Sequence, residues 1–84
     1  MQGYRNEESF DLPVEYGGRE LLLPGKFVQM GYTYKIFIET ESGEIIFEPD
    51  EERNLRAVVN SDNGKEIPVS LVHAIASALE KQLR

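Results

Sequence analysis

Residues 32–40 alternate without a break. Tyr32, Tyr34, Ile36, Ile38 and Thr40 share one parity, and Thr33, Lys35, Phe37 and Glu39 share the other. Successive side chains of a strand point to opposite faces, so a run of period two specifies a strand with one buried face. A helix, with its period of 3.6, spreads the same set around its circumference. The remaining chain must therefore supply strand partners and a layer to cover the apolar parity.

Turn signals supply the partners. Gly17-Gly18 brings two residues that reach positive φ, as a two-residue type I′ hairpin requires. The register this dictates pairs Tyr16 with Arg19, Val14 with Leu21 and Leu12 with Leu23, all on one face. It also sets Glu15 opposite Glu20, a like-charge pair. Pro13 has no N–H to give a second neighbour, which places its strand at a sheet edge. Pro24-Gly25 reads as the end of that hairpin, with residues 26–30 as a further short strand. Ser42-Gly43 reads as the next tight turn, pairing Ile38 with Phe47 and Thr40 with Ile45, and residues 44–48 return. The segment 49–53 breaks the pattern, and residues 54–60 resume it through Leu55, Ala57 and Val59.

The end of the chain changes period. Val72, Ile75, Ala76, Leu79 and Leu83 recur at helical spacing, with Ala74 and Ala78 adding propensity. Pro68 suits a first helical turn, Ser70 is an alternative cap, and Lys81 and Arg84 suit the negative end of the helix dipole. The expected fold is α+β: an antiparallel sheet of four to six strands in sequential hairpins over about residues 12–60, then one C-terminal α-helix over about 69–83 packed across one face. Residues 1–10, polar apart from Tyr4 and Phe10, read as a flexible leader or as an edge strand anchored by Phe10. Residues 11–84 read as one α+β domain, since 84 residues leave little room for two.

Composition narrows the function classes. There is no cysteine and one histidine, which removes disulfides, thiolate nucleophiles, thiolate metal sites and His-rich zinc sites. No cofactor is expected. Fifteen acidic residues against nine basic ones leave a net charge of −6, which argues against binding nucleic acid or an anionic membrane surface. No apolar stretch approaches the ~20 residues of a membrane span, and the first residues lack a signal-peptide core. A cytoplasmic setting is the default for a chain without cysteine.

Several constellations invite chemistry. Glu39, Glu41, Glu44, Glu48, Asp50, Glu51 and Glu52 hold seven of the 15 acids with no Lys or Arg between them. Hard cations take several carboxylate oxygens, so Glu48, Asp50, Glu51 and Glu52 are weak metal candidates. A solvated, edge-protecting charged loop explains the same residues. The run 60–64, NSDNG, fails as a calcium loop, because Val59, Ser61 and Ser70 fall where carboxylates are needed. His73 has Ser77 one helical turn away, yet no third member orients it. Glu15 and Glu20 form a chance carboxylate pair in a chain too small for a sugar cleft. Gly17-Gly18 lacks a phosphate-loop context. The tyrosines lack the basic neighbours of a base-stacking site.

The sheet itself carries the sharpest expectation. Leu12, Val14, Leu21, Leu23, Ile36, Ile38, Ile45 and Phe47 form one apolar face. Leu22, Phe37, Ile46 and Val58 contribute to the other, amid Glu39, Glu44, Glu48, Lys35 and Arg56. One helix covers only one face, so the second set is covered by the N-terminal segment, meets another chain or stays as scattered exposed residues, and the partner reading is preferred. The chain is thus read as a non-catalytic interaction module, self-associating as a homo-oligomer such as a dimer or binding another protein through that face. The alternatives are an acidic inhibitor or nucleic-acid mimic that binds a basic partner, and a weak divalent-metal-dependent protein using the 48–52 loop.

Overall fold

A computed structural model describes residues 6–52, 54–60 and 66–82. They form β1 (Asn6–Tyr16), β2 (Arg19–Met30), β3 (Thr33–Thr40), β4 (Gly43–Pro49), β5 (Leu55–Asn60) and α1 (Val69–Gln82). The strands lie side by side in chain order, each antiparallel to its neighbour. This is the expected α+β architecture, with five strands. Leader and first strand are continuous, since residues 6–10 are the opening half of β1. Tyr4, Leu83, Arg84 and residues 61–65, which hold most of the NSDNG run, lie outside the described residues.

The first hairpin has the register expected of it, from Leu12 opposite Leu23 through Glu15 opposite Glu20 to Tyr16 opposite Arg19. Gly17 and Gly18 turn it at φ 62 and φ 76, a region that a side chain with a Cβ seldom enters. The β3–β4 register differs from expectation by two residues. Ile38 faces Ile45, Ile36 faces Phe47, and Thr40 faces Gly43. The turn is therefore Glu41-Ser42. It is held by the Thr40 hydroxyl, which accepts from the Ser42 N–H at 3.1 Å and donates to the Gly43 carbonyl at 2.7 Å. An even shift leaves every side chain on its assigned face.

Pro24-Gly25 does not end a strand. β2 runs through both as one element of 12 residues, about 40 Å long at the usual rise. Two features permit this. Pairing between β2 and β3 runs only from Gly25–Ile38 to Met30–Thr33, so Pro24 stands just past the β3 ladder, where a missing N–H is tolerated. Gly25 leaves space that the Phe10 ring occupies. A Cβ at position 25 would stand 2.7 Å from Phe10 Cζ and 3.0 Å from Ile38 Cδ1.

The core lies between the sheet and α1. Leu12, Val14, Ile36, Ile38, Ile45 and Phe47 from the strands meet Leu71, Ile75 and Leu79 from the helix, with Ile67 from the preceding segment. These are the sheet residues expected on the covered face. Of the expected helical stripe, Ile75 and Leu79 are buried and Val72 and Ala76 flank them, while Leu71, outside that stripe, is buried as well. Pro68 supplies the first acceptor, its carbonyl receiving the N–H groups of Leu71 and Val72 at 3.0 and 3.1 Å. Ser70 lies inside the helix and is no cap. Its hydroxyl meets Tyr16 Oη at 3.0 Å, joining the tip of the first hairpin to the helix. The helix approaches both edge strands, β1 most closely and then β5. It therefore reaches across the sheet from one margin to the other.

Gly25→Ala is expected to destabilise the fold by about 1–3 kcal/mol, because the new methyl displaces the Phe10 ring. The same substitution made beside Phe10→Ala is expected to cost less. Chemical denaturation of the four chains of this double-mutant cycle reads the coupling, and equal costs in both backgrounds would show that the ring is not the obstacle.

Candidate functional site

The face opposite the helix is organised in rows that cross the sheet. One row reads Ser9, Lys26, Phe37, Ile46 and Val58, each residue paired with the next on the neighbouring strand. Three of the four residues expected to form an interface thus stand side by side on β3, β4 and β5. Phe37 and Ile46 are half-buried and Val58 is exposed. Leu22 is not with them. It pairs with Pro13 beyond the point where β2 leaves β3, and is 66% exposed there. Val28 does belong to this face, beside Glu7 and Lys35, and is almost fully buried. It stands directly after apolar Phe27 in a short run, KFVQM, so alternation alone did not assign it.

A depression of about 640 Å³ opens on this face where the first hairpin diverges from β3. Phe37, Val28, Met30 and Pro24 supply its apolar lining, and Phe10 and Gly25 are reached through the fork between β2 and β3. Glu7, Asp11, Glu39 and Glu44 line it as well, against a single lysine, Lys26. Glu39 and Glu44 stand directly opposite each other on β3 and β4. Like charges so placed repel, and in water the cost is a fraction of a kcal/mol.

The bases on this face are already engaged. Lys26 Nζ lies 3.5 Å from Glu7, and Lys35 Nζ lies 3.9 Å from Glu48. Arg56 donates to Glu48 Oε1 at 2.6 Å. That hydrogen bond is the main reason the Glu48 carboxyl is held below its ordinary value of 4.5; desolvation opposes it, and the charges of Arg56 and Lys35 add to it. The same bond raises Arg56 further above its already high value. Among the described residues, no ion pair reaches Asp11, Glu39 or Glu44.

The acidic loop is built differently from a metal cradle. Asp50 Oδ1 accepts the N–H groups of Glu52 at 2.8 Å and Asn54 at 2.9 Å, while its own N–H reaches the Asn54 carbonyl. Asp50 therefore folds the loop upon itself, as an Asx turn does. Glu48 points into its ion pair with Arg56, and Glu51 and Glu52 are exposed. No group of three metal-ligating side chains converges among the described residues. His73 and Ser77 are both exposed on α1. Glu15 and Glu20 face each other at the exposed hairpin tip. Tyr16 and Tyr34 pack against the core, Tyr34 stacked on Phe27 with ring centroids 5.1 Å apart, and Tyr32 is exposed. No helix among the described residues is long and apolar enough to cross a membrane.

No protein-family model matches the chain, and neither a curated protein nor a solved structure matches it.

The Glu48–Arg56 pair gives the fold an acid-sensitive component. Because Glu48 is a stronger acid folded than unfolded, the unfolded chain takes up the proton first as pH falls. The contribution is complete above pH 4.5 and disappears as pH drops through the lower, folded value. Glu48→Gln is expected to flatten that part of the stability profile, as read by urea melts at stepped pH. Superimposable profiles for the two chains would contradict the assignment.

Proposed function

We propose that this chain is a non-catalytic protein-interaction module that docks its partner on the sheet face opposite the helix. The observation that carries the reading is the row Phe37, Ile46 and Val58, set beside an open depression on a face that α1 does not cover. Isolated exposed apolar residues are ordinary; neighbours on three adjacent strands make a surface. The exposed, unassisted positions of His73 and Ser77 support a binding role over a catalytic one. Either a second copy, as in a dimer, or another protein can occupy such a face. A cytoplasmic setting accords with a chain free of cysteine.

The reading as an acidic inhibitor or nucleic-acid mimic that binds a basic partner is favoured by a specific observation as well: among the described residues, no ion pair reaches Asp11, Glu39 or Glu44 on this same face. It joins the docking reading rather than competing with it. The metal reading finds no support in the loop, where Asp50 is committed to backbone donors and Glu48 to Arg56.

Stability measurements separate a docking face from a core face. Phe37→Ser is expected to leave the fold intact at a cost below about 1.5 kcal/mol, since the ring is only partly buried. Phe47→Ala, on the covered face and fully buried, is expected to cost about 3–5 kcal/mol. Sedimentation equilibrium over a wide concentration range then tells whether the face meets a second copy, by loss of association in Phe37→Glu. A Phe37→Ser chain that unfolds would mean that Phe37 serves the core, and the docking reading would fall.

A further inference from the structure

Resting on the docking reading above, we infer that the depression takes an extended, basic segment of another protein whose lysine or arginine side chains alternate with apolar ones. The charge on this face is unbalanced in one direction. Among the described residues its three basic side chains are held by Glu7 and Glu48; Glu15 and Glu20 stand apart at the hairpin tip, and the carboxylates left over beside the depression are Asp11, Glu39 and Glu44. All three border the same depression, with Phe37 beside Glu39 on the same face of β3. Bringing cations to Glu39 and Glu44 relieves a cross-strand repulsion that no ion pair among the described residues relieves. Apolar side chains between those cations meet Phe37 and Pro24.

The fork favours an extended ligand. β3 continues through Glu39 and Thr40, while its pairing with β2 stops at Ile38–Gly25. The backbone of Glu39, which faces β2 because Thr40 closes the turn with Gly43, therefore has no ladder partner beside the depression. An extended segment placed there gains main-chain hydrogen bonds, and its alternate side chains point toward the acidic, apolar lining. A second copy of this chain fits less well. A two-fold interface sets a patch against itself, so Asp11, Glu39 and Glu44 would face their own counterparts between two molecules of net charge −6.

The test uses the whole chain and a fluorescent peptide of alternating lysine and leucine, followed by anisotropy and by amide shifts in two-dimensional NMR. Saturable binding is expected, weakening as salt is raised, with shifts centred on Phe37, Glu39 and Thr40. The double substitution Glu39→Gln and Glu44→Gln removes a repulsion, so it is expected to melt no lower than the parent while binding about tenfold more weakly. A glutamate–leucine peptide is expected not to bind. Absence of saturable binding overturns the inference. So does binding that the double substitution leaves unchanged, or shifts that fall on the 49–52 loop. So too does a parent chain that dimerises through Phe37 and excludes the peptide, although that result keeps the docking face. The docking reading itself stands or falls separately, on whether Phe37→Ser folds.

Discussion

The structure depends on a single act of burial. Leu71, Ile75 and Leu79 press one side of α1 onto Leu12, Val14, Ile36, Ile38, Ile45 and Phe47. No disulfide is available, and no charged or polar side chain is buried among the described residues. Apolar contact is therefore the principal cohesive force between the helix and the sheet, as it must be in so small a domain. The cost of that arrangement is directional. A helix of 14 residues, about 21 Å long, is spent on one face and leaves the other to the solvent. Everything distinctive about the second face follows: its apolar row survives uncovered, and its charged residues have only one another for partners.

Much of this was legible in the sequence, and the failures have physical causes. The Gly17-Gly18 turn gave the whole first register, because only glycine occupies both turn positions comfortably and the apolar pairs agree with it. The second turn was ambiguous, since Glu41, Ser42 and Gly43 offer two ways to close a hairpin. The Thr40 hydroxyl decides between them, through bonds that no periodicity reveals. Pro24-Gly25 looked like punctuation. It proved to be a passage, because an aromatic ring from the preceding strand, Phe10 of β1, fills the place of the missing side chain. The helical stripe reads with Ile75 and Leu79 but without Leu71, which lies only two residues beyond the helix start, where a sequence pattern has little to lean on.

The candidate site was legible in part for related reasons. Phe37, Ile46 and Val58 follow from alternation, which is insensitive to an even slip of register. The meeting of Asp11, Glu39 and Glu44 is not insensitive. In the expected register Glu39 would have faced Ile46 and no opposed carboxylates would have appeared. Leu22 was grouped by parity alone, and parity does not know that β2 outruns β3.

The order of the strands has a further consequence, in how the chain reaches this state. Every ladder joins strands adjacent in sequence, so the sheet can grow hairpin by hairpin with short loops to close. The seam between β1 and α1 is the exception. There the Tyr16–Ser70 bond spans 54 residues and joins the first hairpin to the helix, elements from opposite halves of the chain. That seam carries most of the loop-closure entropy of folding, and it shuts a linear array of hairpins into one cooperative unit. Opened there, the meander keeps its neighbours but loses its cover, and the face that α1 hides becomes as accessible as the face it never reached.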